Sequence, residues 1–132
     1  MTYRVTRNSE QQPAIVMEDE PYGKALAAAP AQREPELDQG LWLVMVFAAW
    51  SVPDINAIQV ALDVARHFGG RINLGVRPLD NFEENAAWLP DVKDTGLSPL
   101  WIGLNDGRVC MSKHGLLTAQ ELVDAISASC PV

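Results

Sequence analysis

The sequence predicts an α/β domain in which a central mixed β-sheet carries helices on both faces, a three-layer α/β/α arrangement. Three stretches predict it. Leu41 to Ala49 is a continuous apolar run containing Val44, Val46 and Phe47, which suits a strand buried on both faces. A helical stripe at Ile55, Ile58, Leu62 and Ala65 follows, stops at Gly69 and Gly70, and gives way to alternation at Ile72, Leu74 and Val76. A helix crossing between two strands implies that the strands are parallel. Asn105, Asp106 and Gly107 then separate the strand-like stretches 100–104 and 108–113, the pattern of a tight antiparallel hairpin.

The remaining elements follow in order. Residues 1–13 are polar without an apolar period and predict a flexible leader, leaving 14–132 as one domain. Ala14 to Met17 is a short apolar run, a candidate edge strand. After Glu18, Asp19 and Glu20, the stretch from Pro21 to Ala29 is rich in Ala with Pro early, which predicts a short helix. Residues 30–40 carry two prolines, three acids, an Arg and a Gly, the composition of a surface linker. Ser51 and Pro53 open the helix after the central strand. Asn81 to Trp88 is a candidate short helix ended by Pro90, with a loop through Thr95 and Gly96. Thr118 and Glu121 form a capping box, and Leu122, Val123 and Ile126 give the last helix its apolar stripe.

Composition narrows the function. Hydrophobic residues make up 48% of the 132 and charged residues 20%, so the chain can fold on its own core. A net charge of −7 without any Lys/Arg cluster argues against nucleic acid, whose phosphates need clustered cations. No apolar run reaches the roughly 18 residues that span a bilayer, and the first residues lack the positive start and apolar run of a secretory signal. The expectation is a cytoplasmic protein without membrane contact. Cys110 and Cys130 lie far apart and form no CxxC pair, so reduced, structural thiols are expected.

The element order resembles the thioredoxin family from about Ala14 to Ile126, and separated residues agree with it. The segment Phe47, Ala48, Ala49, Trp50, Ser51, Val52, Pro53, Asp54 looks like the family's active-site segment, in which a Trp precedes Cys-Gly-Pro-Cys. Trp50 and Pro53 match, and the two family cysteines fall on Ser51 and Asp54. Pro99, ahead of the hairpin glycine Gly107, occupies the place of the family's cis-proline, and Gly115 fits a glycine before the last helix. A buried Asp and a Lys that help move protons in the family correspond here to Met45 and Val76. The resemblance therefore implies a thioredoxin fold whose redox set has been replaced while its surface frame is kept.

Chemistry agrees. Thiol–disulfide exchange needs an attacking thiolate and a resolving thiol, and a Ser hydroxyl supplies neither. Ser51 is expected as an N-cap, with Asp54 in an acidic first turn. A serine hydrolase would need a nearby His held by a third group; His67 should sit at the far end of the helix and His114 on the last strand. Cys110 and His114 have even spacing and would share one strand face, but two ligands do not close a metal site. Glu83 and Glu84 are adjacent and diverge on a helix, as a solvated face does. No glycine-rich phosphate loop, HExxH or GxGxxG is present, so no metal or cofactor is expected.

Trp42 and Trp101 fall in apolar strands and read as core, whereas Trp50 stands where the fold presents side chains to a partner. A cis Ser98–Pro99 bond would hold the Ser98 backbone at the same surface, suited to an extended peptide; its alternative role is only to shape the turn. The expected site is thus non-catalytic and partner-binding: Trp50, Ser51, Val52, Pro53, Asp54, Ser98 and Pro99. The expected partner is a protein or peptide, in an adaptor, assembly or chaperone-like role; redox-silent relatives such as thioredoxin-like hydrogenase-maturation proteins act as chaperones. The alternative is a single-thiol enzyme of the thioredoxin superfamily using Cys110 or Cys130, and the choice between monomer and homo-oligomer stays open.

Overall fold

Leu41 to Ala48 forms the strand around which the other elements are placed. In the computed structural model the described residues are 3–7, 13–17, 23–25, 35–48, 50–79 and 97–132, with side chains described in 37–48, 50–77 and 97–132. The strands are β1 (Tyr3–Arg7), β2 (Pro13–Met17), β3 (Gly23–Ala25), β4 (Leu41–Ala48), β5 (Asn73–Leu79), β6 (Leu100–Asn105) and β7 (Arg108–His114). The helices are α1 (Val52–Asn56), α2 (Ile58–Phe68) and α3 (Ala119–Ser129), and a single 3-10 turn covers Pro35–Asp38. β3, β5, β4, β6 and β7 make one sheet in that order, the first three parallel and the last two antiparallel to their neighbours.

Every residue of β4 from Trp42 to Ala48 is buried, because β5 and β6 hydrogen-bond to both of its edges and apolar layers cover both of its faces. Leu43, Met45 and Phe47 point into the larger core with Ile58, Leu62, Phe68, Leu122 and Ile126 from the helices. Trp42, Val44 and Val46 point the other way, into a smaller core with Leu100, Ile102 and Leu104. The parallel register sets Met45 beside Val76, and both are apolar residues of the larger core. Arg77, aligned with Val46 and fully buried, lies on the smaller core's side of the sheet.

The helix after β4 is interrupted at Ala57, whose N–H is shared between the carbonyls of Pro53 and Asp54 at 3.1 and 3.0 Å, a tightened turn between α1 and α2. Gly69 ends α2 in the left-handed conformation with φ 58°, which a residue without a Cβ adopts freely. Asp106 and Gly107, with φ 49° and 84°, make the two-residue hairpin turn between β6 and β7. The Thr118 capping box is fully formed, Thr118 Oγ1 accepting from Glu121 N–H at 3.1 Å and Glu121 returning the bond to Thr118 N–H at 3.2 Å.

Several expectations are corrected. The expected leader contains β1, which pairs antiparallel with β2, so the run at Ala14–Met17 belongs to a separate two-stranded sheet. Within the expected helix Pro21–Ala29, residues Gly23–Ala25 form β3, extended alongside β5; strand pairing overrides the helical propensity of alanine. Within the expected linker 30–40, Leu37 of the 3-10 turn is fully buried in the smaller core rather than at the surface. The described helices all pack on the larger core, and the candidate helix Asn81–Trp88, with Glu83 and Glu84, lies outside the described residues.

The cysteines are also corrected: Cys110 and Cys130 form a disulfide, with Cα atoms 5.4 Å apart, because β7 and the end of α3 come together in the fold despite a separation of 20 residues. Cys110 and His114 do not share a face. Cys110 packs on the larger core, whereas His114 aligns with Leu100 of the smaller one.

If Leu37 anchors its segment, Leu37→Ala should destabilise the protein by about 2–5 kcal/mol, the cost of emptying a buried leucine site, whereas a solvated linker position would shift it by under about 0.5 kcal/mol. Urea unfolding of the two proteins measures the difference.

Candidate functional site

The carboxyl end of β4, the amino end of β6 and the carboxyl end of β7 meet at one pole of the sheet, since Val46 aligns with Leu100 and Leu100 with His114. α1 starts there as well. The loop from β4 into α1 is held by its own backbone and by one carboxylate. Ser51 N–H donates to Ala48 O at 3.0 Å, and Ile55 N–H to Ser51 O at 3.0 Å. Ser51 is the N-cap, extended at φ −107° and ψ 114°, its Oγ accepting from Asp54 N–H at 3.4 Å. This matches the capping role expected of it.

Asp54 departs from a simple first-turn acid. It is only 3% exposed, and its Oδ2 accepts from Ala48 N–H at 2.8 Å, while Oδ1 accepts from Ser51 Oγ–H at 3.4 Å. The side chain thus reaches back past the cap to the last residue of β4. A carboxylate that receives a backbone N–H and a hydroxyl, close to a helix start, is held by charge-assisted hydrogen bonds.

The opposite wall is set by Pro99. The Ser98–Pro99 bond is cis, Pro99 is buried, and its carbonyl accepts from Gly115 N–H at 2.9 Å. Gly115, at φ 92°, passes its own carbonyl to Trp101 Nε1–H at 2.9 Å, which ties the chain after β7 to β6. Trp101 is fully buried and Trp42 nearly so, Trp42 donating from Nε1 to Gln39 O at 2.9 Å, so both are core as expected.

The seven expected site residues therefore divide. Trp50 and Val52 are 68% and 67% exposed, Pro53 is also exposed, and Ser51 and Ser98 are half-buried; all five can be touched from outside. Asp54 and Pro99 are buried and act by shaping the loop beneath. Sequence reasoning missed Leu97 and Leu116, each 62% exposed, one just before Ser98 and the other just after Gly115. Four of the five large exposed hydrophobics among the described residues, Trp50, Val52, Leu97 and Leu116, border this pole; the fifth, Val132, ends the chain. The signal available in sequence was leucine in two loop positions that pack no core.

At this pole Ser51 Oγ engages Asp54, and His114 ends β7 there. His67 lies in the last turn of α2, at the opposite end of the α1–α2 segment from Ser51. The sequence's only cysteines are joined to each other, so neither stands as a free thiol. Among the described residues no cluster of three His, Cys, Asp or Glu could hold a metal ion, and no helix is long and apolar enough to cross a membrane.

No protein-family model matches the chain, and no curated protein does. Solved structures are similar to it. A malarial protein superposes with a TM-score of 0.56 at 20% identity, covering 70% of this chain and 100% of that one. Thioredoxin-2, described as a component of malaria parasite protein secretion machinery, gives a TM-score of 0.54 at 21% identity, over 67% of this chain and 82% of its own. At these identities the likeness is one of fold, and it agrees with the mixed sheet, the helix leaving its central strand and the proline wall described above: the chain has the α/β thioredoxin fold.

Proposed function

We propose that this chain is a thioredoxin-fold binding module without disulfide oxidoreductase activity, which holds another polypeptide on the pole formed by Trp50–Asp54, Leu97–Pro99 and Leu116. The observation that carries the reading is Asp54. At the place corresponding to the family's second cysteine stands a buried carboxylate hydrogen-bonded to Ala48 N–H and Ser51 Oγ, a structural latch with no capacity to resolve a mixed disulfide. Ser51, at the place of the first, is engaged as a helix cap.

The surface above the latch supports binding. A cluster of exposed apolar side chains at one end of a domain is the feature that marks an interaction site, whereas single exposed hydrophobics need no explanation. Trp50 supplies the large, rigid ring that interface energetics favour. Ser98, half-buried beside Leu97 and ahead of β6, offers backbone groups to an extended segment. The role that fits these features is that of an adaptor, assembly factor or chaperone-like protein.

In an insulin-reduction assay with dithiothreitol the natural protein should add nothing to the rate of the reductant alone, and a Ser51→Cys, Asp54→Cys double variant should accelerate it. Turnover by the natural protein would overturn the reading. Binding is tested with the reduced insulin B chain as a model extended apolar peptide: Trp50→Ala with Leu116→Ser should weaken its capture by roughly tenfold or more, the usual effect of removing an interface aromatic. Asp54→Ala should lower stability by about 1.5–3 kcal/mol, because it removes a charged hydrogen-bond acceptor from a buried N–H; thermal unfolding reads the change.

A further inference from the structure

Cys110, Cys130 and Gly103 form a second constellation, at the end of the sheet away from the partner-binding pole. Val109 and Met111 align with Leu104 and Gly103, which are successive residues of β6, so Cys110 is the extra residue of a β-bulge. Strict alternation would put Cys110 and Met111 on opposite faces of β7. The bulge brings both onto the face that α3 covers. Cys130 is the C-cap of α3, its N–H donating to Ile126 O at 2.8 Å, and it is only 7% exposed.

Gly103 completes the arrangement. A Cβ at this position would stand 2.9 Å from Cys130 Sγ, 3.0 Å from Met111 Cβ and 3.3 Å from Cys110 Sγ. Its φ is not in the left-handed region, so glycine is there for space: the sulfur atoms occupy the volume that any other residue of β6 would fill. A bulge that re-aims one cysteine, a helix end that delivers the other and a notch that admits both sulfurs all serve one bond.

We propose that the Cys110–Cys130 disulfide is a constitutive structural staple and that the chain works in an oxidising compartment. The bond forms by exchange with a disulfide oxidant. The thiolate of Cys110, the more exposed of the two, attacks the oxidant's disulfide and releases one thiolate of the oxidant. Cys130 thiolate then attacks Cys110 Sγ and releases the second. Two thiols of the chain lose two electrons to the oxidant and two protons to solvent. With Cys130 buried and Cys110 half-buried between β6, β7 and α3, access of reductants to the bond is restricted, unlike in an exchange-active disulfide, which presents a sulfur to its partner. This counts against the cytoplasmic expectation, because cytosolic thiols are held reduced.

The experiment takes the full chain, reduced and then equilibrated with oxidised and reduced glutathione, and counts alkylatable thiols by mass. The folded protein should show none, should keep the bond when reduced glutathione is raised to cytosolic excess, and should lose it once urea unfolds the chain. The oxidised form should melt on the order of 10 °C above the reduced form. Acid-quenched alkylation of the chain in its own cells should likewise find no free thiol. Two alkylatable cysteines in the folded oxidised mixture or in the cells, or equal melting temperatures, would overturn the proposal. Should reduction abolish folding altogether, the cellular thiol count still decides.

Discussion

Everything in the structure depends on β4 being buried on all sides. A strand with seven consecutive buried residues has no polar face to offer water, so both edges need hydrogen-bonding partners and both faces need cover. The first demand is met by β5 on one edge and β6 on the other. The second draws α1, α2 and α3 onto one face and Leu37 onto the other. The strand then ends abruptly, and its last N–H, that of Ala48, is satisfied by Asp54. The geometry of this pole is therefore a by-product of how a fully buried strand terminates.

The same demand accounts for the apolar residues at the centre of the sheet. Met45 and Val76 add to the core that supports β4, where a buried Asp and Lys would each carry a desolvation cost. Ser51 and Asp54 keep the start of α1 fixed by hydrogen bonds. These residues thus support the loop that carries exposed Trp50 and Val52.

How far the sequence could be read follows from which forces are local. The central strand, the helix to Gly69, the hairpin at Asp106–Gly107 and the Thr118 capping box were legible because their signals lie within a few residues: an unbroken apolar run, a helical stripe, a turn dipeptide and a reciprocal cap. What escaped depends on distant partners. Gly23–Ala25 is a strand only because β5 lies beside it, and Leu37 is core only because Trp42 and Val44 face it. The bulge that turns Cys110 inward is a mismatch between two strands, invisible in either alone, so alternation placed the residue beside His114 and concealed its pairing with Cys130. At the site, Trp50, Ser51 and Val52 were found through motif position, whereas Leu97 and Leu116 join them only once the strand ends are assembled.

The disulfide also has a topological consequence. It closes β7, the following loop and α3 into a covalent ring. Leu116, at the exposed tip of that loop, is the kind of position where proteases cut folded domains. A single cut there opens the ring without shedding either part: the terminal helix stays tethered at its far end, and Trp101 loses at most a neighbour's carbonyl. The segment that borders the exposed apolar pole can thus be severed while the core it rests on remains one covalently joined body.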